Sequence, residues 1–448
     1  MLIVSLGFLA CIILKDPLCI ICFSFCFLLY LNERFHSKRV LIFFIGLSIV
    51  SLFLVKPCKE AEKGIYTVTE IKQSYYVAEN HGSRVLVQSD LDLNFKDQIQ
   101  IDSLEPIHTD DNFNLFSFTK YNASKNIFYK TKKVRLLKKS HSLKSKLYTF
   151  VSNQKNSKVL LSLYYGIHED TIDEIYTMLG YGYISAYFIV FNLLKRKYED
   201  KKIRISLLIV SILFGSFFVF TLSLTRFILY QLARLLFQSK SDQIGFTILF
   251  FSILYPTQVL SISFVLPILL QLVSYFCTEH KWIVQKIVLV SILFIYFKKV
   301  NVVSLLLFNL LRKFYGCVFL IGICISDFKP FTIPSLTIHY APQYLFILVF
   351  IIVYIQCLKH FKWKYLIIFI IPFLEIFCNP FFQVYTLNIG QGDCSIIVEP
   401  FYKSVVMIDC GQSLYRDNVE RIIMPFLENK NIHTIDTLIL THDDFDHS

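Results

Sequence analysis

Charge is scarce in this chain: Asp, Glu, Lys and Arg make up 17% of its 448 residues, against 55% apolar. Soluble globular domains carry about a quarter charged residues, so the composition excludes an ordinary soluble fold along the whole length. No Gly-rich ATP-binding loop occurs, so the energy for any directed process has to come from partners. The N-terminus, Met1 to Ser5, lacks a charged start and a small-residue cleavage site. It is therefore expected to be a first apolar span and not a removable signal. The twelve cysteines are scattered, most of them in or beside apolar runs where Cys acts as a small hydrophobe, and they form no disulfide framework. Cys19, Cys22 and Cys26 have metal-like spacing but stand in an apolar run without a charged partner.

What is abundant is hydrophobicity, with a mean hydropathy of +0.54. Apolar runs at 1–14, 17–31 and 40–55, and again between about 159 and 378, predict a polytopic α-helical membrane protein of about ten to thirteen spans. Basic breaks at 33–39, 195–204 and 359–364 place those loops in the cytoplasm by the positive-inside rule. The net charge of +12 is the ordinary consequence of such loops. Arg226 and Arg234 lie eight apart on one apolar helix, on similar faces, and are candidate channel residues because intramembrane Arg faces water or a carboxylate. Snorkelling at a helix end is the competing account for Arg226.

Between about 56 and 157 the chain becomes polar. Alternation at 64–71, 83–88 and 97–102 predicts strands of a small β domain on the outer face. Its C-terminal part is strongly basic, with Lys130, Lys132, Lys133, Arg135, Lys138 and Lys139, then Lys144 and Lys146, near Tyr129, Tyr148 and Phe150. Basic residues interleaved with aromatics suit single-stranded nucleic acid. Anionic lipid headgroups are the commoner partner of a basic stretch beside a span.

From 381 the pattern is again polar, with strands at 383–389, 394–399 and 403–409, helical spacing over 415–428, and a strand at 436–441 that reads as buried. Gly390, Gly392 and Asp393 form a turn, and Asp409 and Gly411 close the third strand. Directly after the last strand stand His442, Asp444, Asp446 and His447. Imidazoles and carboxylates at this spacing suit Zn or Mn, one ion or two, in a hydrolytic site.

Together, Leu387-Asn-Ile-Gly-Gln-Gly-Asp-Cys-Ser-Ile396, Met407-Ile-Asp-Cys-Gly411 and Leu440-Thr-His-Asp-Asp-Phe-Asp-His447 resemble the metallo-β-lactamase-like domain of the ComEC family of DNA-uptake channels. Residues 112–121 are similar to the end of that family's OB-like domain, and residues 255–264 to its competence signature. Arg226 falls where that region usually has an Arg. A Ser- and His-containing segment is represented by residues 180–187, without the His. The resemblance implies four regions: N-terminal spans at 1–55, an extracytoplasmic OB-like β-barrel domain at 56–157, competence-type channel spans at 158–380, and an incomplete α/β metallo-β-lactamase-like domain at 381–448. His442 and Asp444 would serve a first metal, Asp446 and His447 a second.

Family domains continue past this motif with further ligands. The segment of about seventy residues is therefore expected to be a truncated part, too short to bury such a core, to hold its ions stably or to hydrolyse anything. The implied setting is a bacterial plasma membrane with both β-containing domains outside. The implied partners are single-stranded DNA, membrane lipids, a DNA receptor, an ATP-driven motor and a second copy of the chain. A membrane-tethered metallohydrolase acting on something other than DNA, or a non-functional remnant, is the alternative reading.

Overall fold

The structure is a computed structural model and describes residues 1–54, 60–107, 112, 115, 117–167, 174–322, 324, 336–342, 344–390, 392–411, 417–430 and 432–441. Its contacts divide the chain into two units: Met1–Ile107 with Ala123–Gln271 and Leu306–Ile333, and His108–Asn122 with Leu272–Leu305 and Pro334–Ser448.

The first unit opens with three helices, Leu2–Leu14, Pro17–Phe35 and Lys38–Leu54. Asp16 starts the second: its Oδ1 accepts from the Cys19 amide at 3.0 Å, and Pro17, at the first helical position, has no amide to leave unpaired. His36, in the left-handed region, ends it.

Pro17–Phe35 is the one described helix long and apolar enough to cross a membrane. This overturns the expected polytopic fold class. The other apolar runs fold into shorter helices, such as Tyr181–Leu194, Ile262–Phe276 and Tyr344–Lys359, where a span needs about 20 residues. The 18-residue helix Asp200–Phe217 spends its first turns on Asp200, Lys201, Lys202 and Arg204. By length and composition Pro17–Phe35 could be a single anchor or a signal sequence. A multi-pass arrangement is not found among the described residues.

The same unit holds seven strands: β1 Gly64–Ile71, β2 Tyr76–Asn80, β3 Ser83–Val87, β4 Gln98–Ile101, β5 Glu105–Pro106, β6 Ile127–Thr131 and β7 Val134–Lys138. They form a mixed sheet in the order β5-β6-β3-β2-β1-β4-β7, antiparallel except for β3 with β6. Alternation in β1 sends Tyr66 and Val68 into a core with Val85, Val87, Ile99 and Ile101, while Thr67 and Thr69 take the other face. The sheet curls but stays a half-barrel, which corrects the expected closed OB-like barrel. One edge is β5, two residues long and ending in Pro106, which has no amide to carry pairing further.

The second unit contains a short antiparallel pair, β8 Lys299–Asn301 with β9 Thr337–His339, and a four-stranded sheet. That sheet runs β10 Gln383–Thr386, β11 Ser395–Val398, β12 Val405–Ile408 and β13 Thr437–Ile439. The first three are antiparallel, and β13 joins β12 in parallel. Ile396, Val398, Val405 and Met407 pack against Ile423, Phe426 and Leu427. The expected helix is a π-helical turn, Val419–Ile423, running into Met424–Asn429. Pro425 cannot donate to the preceding turn, which accounts for the wide turn there.

β13 is not the buried strand its apolar run suggested. Leu438, Ile439 and Leu440 are about half exposed at the sheet edge. Residue 112, although it follows β5 in the chain, belongs to this unit. Its side-chain amide acts as a strand would, with Nδ2 donating to the Asn388 carbonyl at 2.7 Å and Oδ1 accepting from the Asn388 amide at 2.6 Å.

Candidate nucleic-acid interface

A concavity in the first unit lies on the face of the sheet that carries Thr67 and Thr69. It is a cleft of about 720 Å³ lined by Thr67, Thr69, Phe95, Lys96, Gln98, Lys138, Lys139, Ser140, His141 and Lys144, with backbone from Val68. Three pieces of chain converge there. The outward threonines of β1 form its floor. The 94–97 loop supplies Lys96, in the left-handed region at φ 66°, held to β1 by hydrogen bonds from the Lys96 amide to the Val68 carbonyl and back from Val68 to Asp97. The end of β7 and the start of helix Leu143–Ser152 supply the rest.

Asp97 ties these pieces together. It is 1% exposed, and its carboxylate accepts from the Asn94 amide at 2.8 Å and the Ser140 amide at 2.7 Å. Its charge therefore serves two backbone donors, one on each side of the cleft, and is not among the lining groups. Ser142 caps the following helix by accepting from Ser145, and this places Lys144 with its Nζ 4.6 Å from the Phe95 ring centroid. Burial, and then the charge of Lys96, push Lys144 below the ordinary lysine range, against a smaller opposing pull from Glu70.

Four lysines thus face one cleft with no carboxylate in its lining. An anion in the cleft would relieve their mutual repulsion. The Thr67 and Ser140 hydroxyls and the Gln98 amide can donate to the same ligand, whereas the Thr69 hydroxyl donates to the Val77 carbonyl at 3.2 Å.

Of the basic residues singled out from the sequence, Lys138, Lys139 and Lys144 line the cleft. Lys130 lies on β6, between β3 and β5. Lys132 and Lys133 are exposed in the β6–β7 turn. Arg135 is exposed on β7, with Nε 3.4 Å from the Asp102 carboxylate. Lys96 and His141 belong to the site as well. A turn-forming Asn94 and Asp97 flanking an aromatic and a lysine was the available signal for Lys96.

Arg226 and Arg234 share a helix, Leu222–Leu236, but have different surroundings. Arg226 is 4% exposed, and its Nε donates to the Ser263 carbonyl at 2.8 Å. Arg234 lies 6.0 Å from the Tyr230 ring centroid.

His442, Asp444, Asp446 and His447 lie outside the described residues, and among the described residues no group of three or more His, Cys, Asp and Glu could hold a metal ion. The backbone leading to them is described. Asp409, 2% exposed at the end of β12, accepts from the Thr441 amide at 2.8 Å and the Thr441 hydroxyl at 2.7 Å. Gly390 and Gly392 take positive φ in the turn before β11, where Asp393 is exposed. Gly411 also has positive φ, and a Cβ there would collide with the Ile389 side chain.

A curated protein shares sequence with part of this chain. It is ComE operon protein 3 of Bacillus subtilis (strain 168). The two are 36% identical over 77 residues, an alignment covering 14% of this chain and 10% of ComE operon protein 3. The likeness to this ComEC protein is therefore short and partial, and this chain spans about a tenth of that relative's length. No family model matches the chain, and no solved structure does.

Proposed function

We propose that the chain serves bacterial DNA uptake by holding single-stranded DNA in the cleft of its curled β sheet. The observation that carries this reading is the convergence of Lys96, Lys138, Lys139 and Lys144 on one cleft without a lining carboxylate. A strand's phosphates are the ligand such a cleft suits, because each neutralised phosphate releases condensed counterions. The short likeness to ComE operon protein 3 supports uptake as the setting, and the ComEC-type motifs in the sequence agree with it.

The test is fluorescence anisotropy of a labelled dT 20-mer on the full chain, with and without Lys138→Gln and Lys139→Gln. Both residues are exposed on the sheet surface, so the pair can change without disturbing the core. Roughly tenfold weaker binding is expected. Unchanged affinity would overturn the reading. So would full displacement of the oligonucleotide by phosphatidylglycerol vesicles at equal phosphate, which would assign the cleft to a membrane surface.

A further inference from the structure

Clefts that hold single strands generally combine cations with aromatic faces on which bases stack, each stacked base contributing about 1–3 kcal/mol. Here the aromatic component is already in use. Phe95 lines the cleft yet is 2% exposed. Tyr165 stacks on it with centroids 5.6 Å apart and planes 22° from parallel, and Tyr148 meets it edge-on at 5.3 Å. Lys144 Nζ sits 4.6 Å from its centroid. Tyr148 and Tyr165 also pack on each other; Tyr165 belongs with Phe95 to the buried core, and the partly buried Tyr148 packs against it. No base can stack on this ring without displacing Lys144 or opening the core. The exposed Phe128 and Phe150 are not among the lining residues, and His141, at the rim, is the one other ring in the lining.

We infer that the cleft recognises the sugar–phosphate backbone alone and is indifferent to the bases. Its ligand class is a phosphodiester chain, whatever hangs from it. Four ammonium groups, the Thr67 and Ser140 hydroxyls and one amide match anionic oxygens, and nothing in the lining offers a free flat apolar face. Phe95 contributes by holding Lys144 in place through its ring face, not by stacking. This inference rests on the nucleic-acid reading above, and one experiment separates the two.

Two probes of equal length and charge are compared by anisotropy on the full chain at low salt: a dT 20-mer and an abasic 20-mer built on tetrahydrofuran sugars. The expected result is affinities within about twofold of each other. Lys138→Gln with Lys139→Gln should weaken both probes in parallel, and His141→Ala should leave their ratio unchanged. Firm binding of dT with a tenfold or greater loss on the abasic probe would overturn the backbone-only inference while leaving nucleic-acid binding standing. So would a lysine variant that weakens dT alone, or a His141 variant that moves the ratio. Failure of both probes to bind would remove the nucleic-acid reading itself.

Discussion

At the level of single residues, Glu70 is a charge on which the β domain's stability depends. Its carboxylate pairs with Arg84 and lies 3.5 Å from Lys72 Nζ, and Arg84 also donates to the Lys125 carbonyl at 3.0 Å. Burial alone would raise the Glu70 pKa, but the charges of Lys72, Lys125 and Arg84 overcome it and hold the group at about 2. A carboxylate depressed on folding stabilises the fold at pH values above its unfolded pKa. That contribution is lost as pH falls from about 4.5 through about 2. The shift corresponds to roughly 2–3 kcal/mol after allowance for partial exposure. Glu70→Gln leaves the three cations without their common partner. The melting temperature at pH 7 should fall by roughly 5 °C, and the variant should lose the acid-dependent decline between pH 4.5 and 2.5. An unaltered slope across that window in thermal melts would assign the acid sensitivity to another group.

Elements depend on such residues at their ends, and the parallel pair of β12 and β13 is the clearest case. After Ile408 the chain turns at Asp409, in the left-handed region at φ 52°. Its amide donates to the Ile439 carbonyl at 2.8 Å, and its carboxylate takes both Thr441 donors. Asp409→Ala leaves the Thr441 amide and hydroxyl without this acceptor and should cost about 1.5–3 kcal/mol. Limited proteolysis should then cut residues 432–441 several-fold faster than in the parent chain. Equal cleavage rates would mean that the strand is held by other contacts.

The strands themselves were legible from alternation at 64–71, 83–88 and 383–409, because period-2 burial is a local property. The exposure of β13 was not legible. An apolar run shows what a strand could bury, whereas what covers it is decided by distant chain. The cleft divides in the same way. Lys138, Lys139 and Lys144 stood out in a basic run, but Lys96 comes from a loop some forty residues earlier, positioned by a buried carboxylate. The β6–β7 turn and the pleat carry Lys130, Lys132, Lys133 and Arg135 elsewhere.

On the scale of the whole molecule, apolar length proved the misleading signal, because helix ends and interior charges cut long runs into helices shorter than a span. Net charge is subtler. A chain with 45 basic and 33 acidic residues attracts polyanions diffusely, and a diffuse field and a built cleft both give salt-dependent binding. They differ in how the salt dependence responds to a small change. For single strands, the slope of log K against log salt is about −0.7 per neutralised phosphate, so four cleft lysines give roughly −2.8. Removing Lys138 and Lys139 takes away two of the 45 basic residues, which a diffuse field would scarcely register. A cleft that places each lysine on a phosphate would lose half its contacts, and its slope should fall to roughly −1.4. Titrations of the dT 20-mer between 50 and 200 mM salt (about half a decade) resolve that difference. A slope that stays near its starting value in the double variant would place binding in the overall charge and not in the cleft.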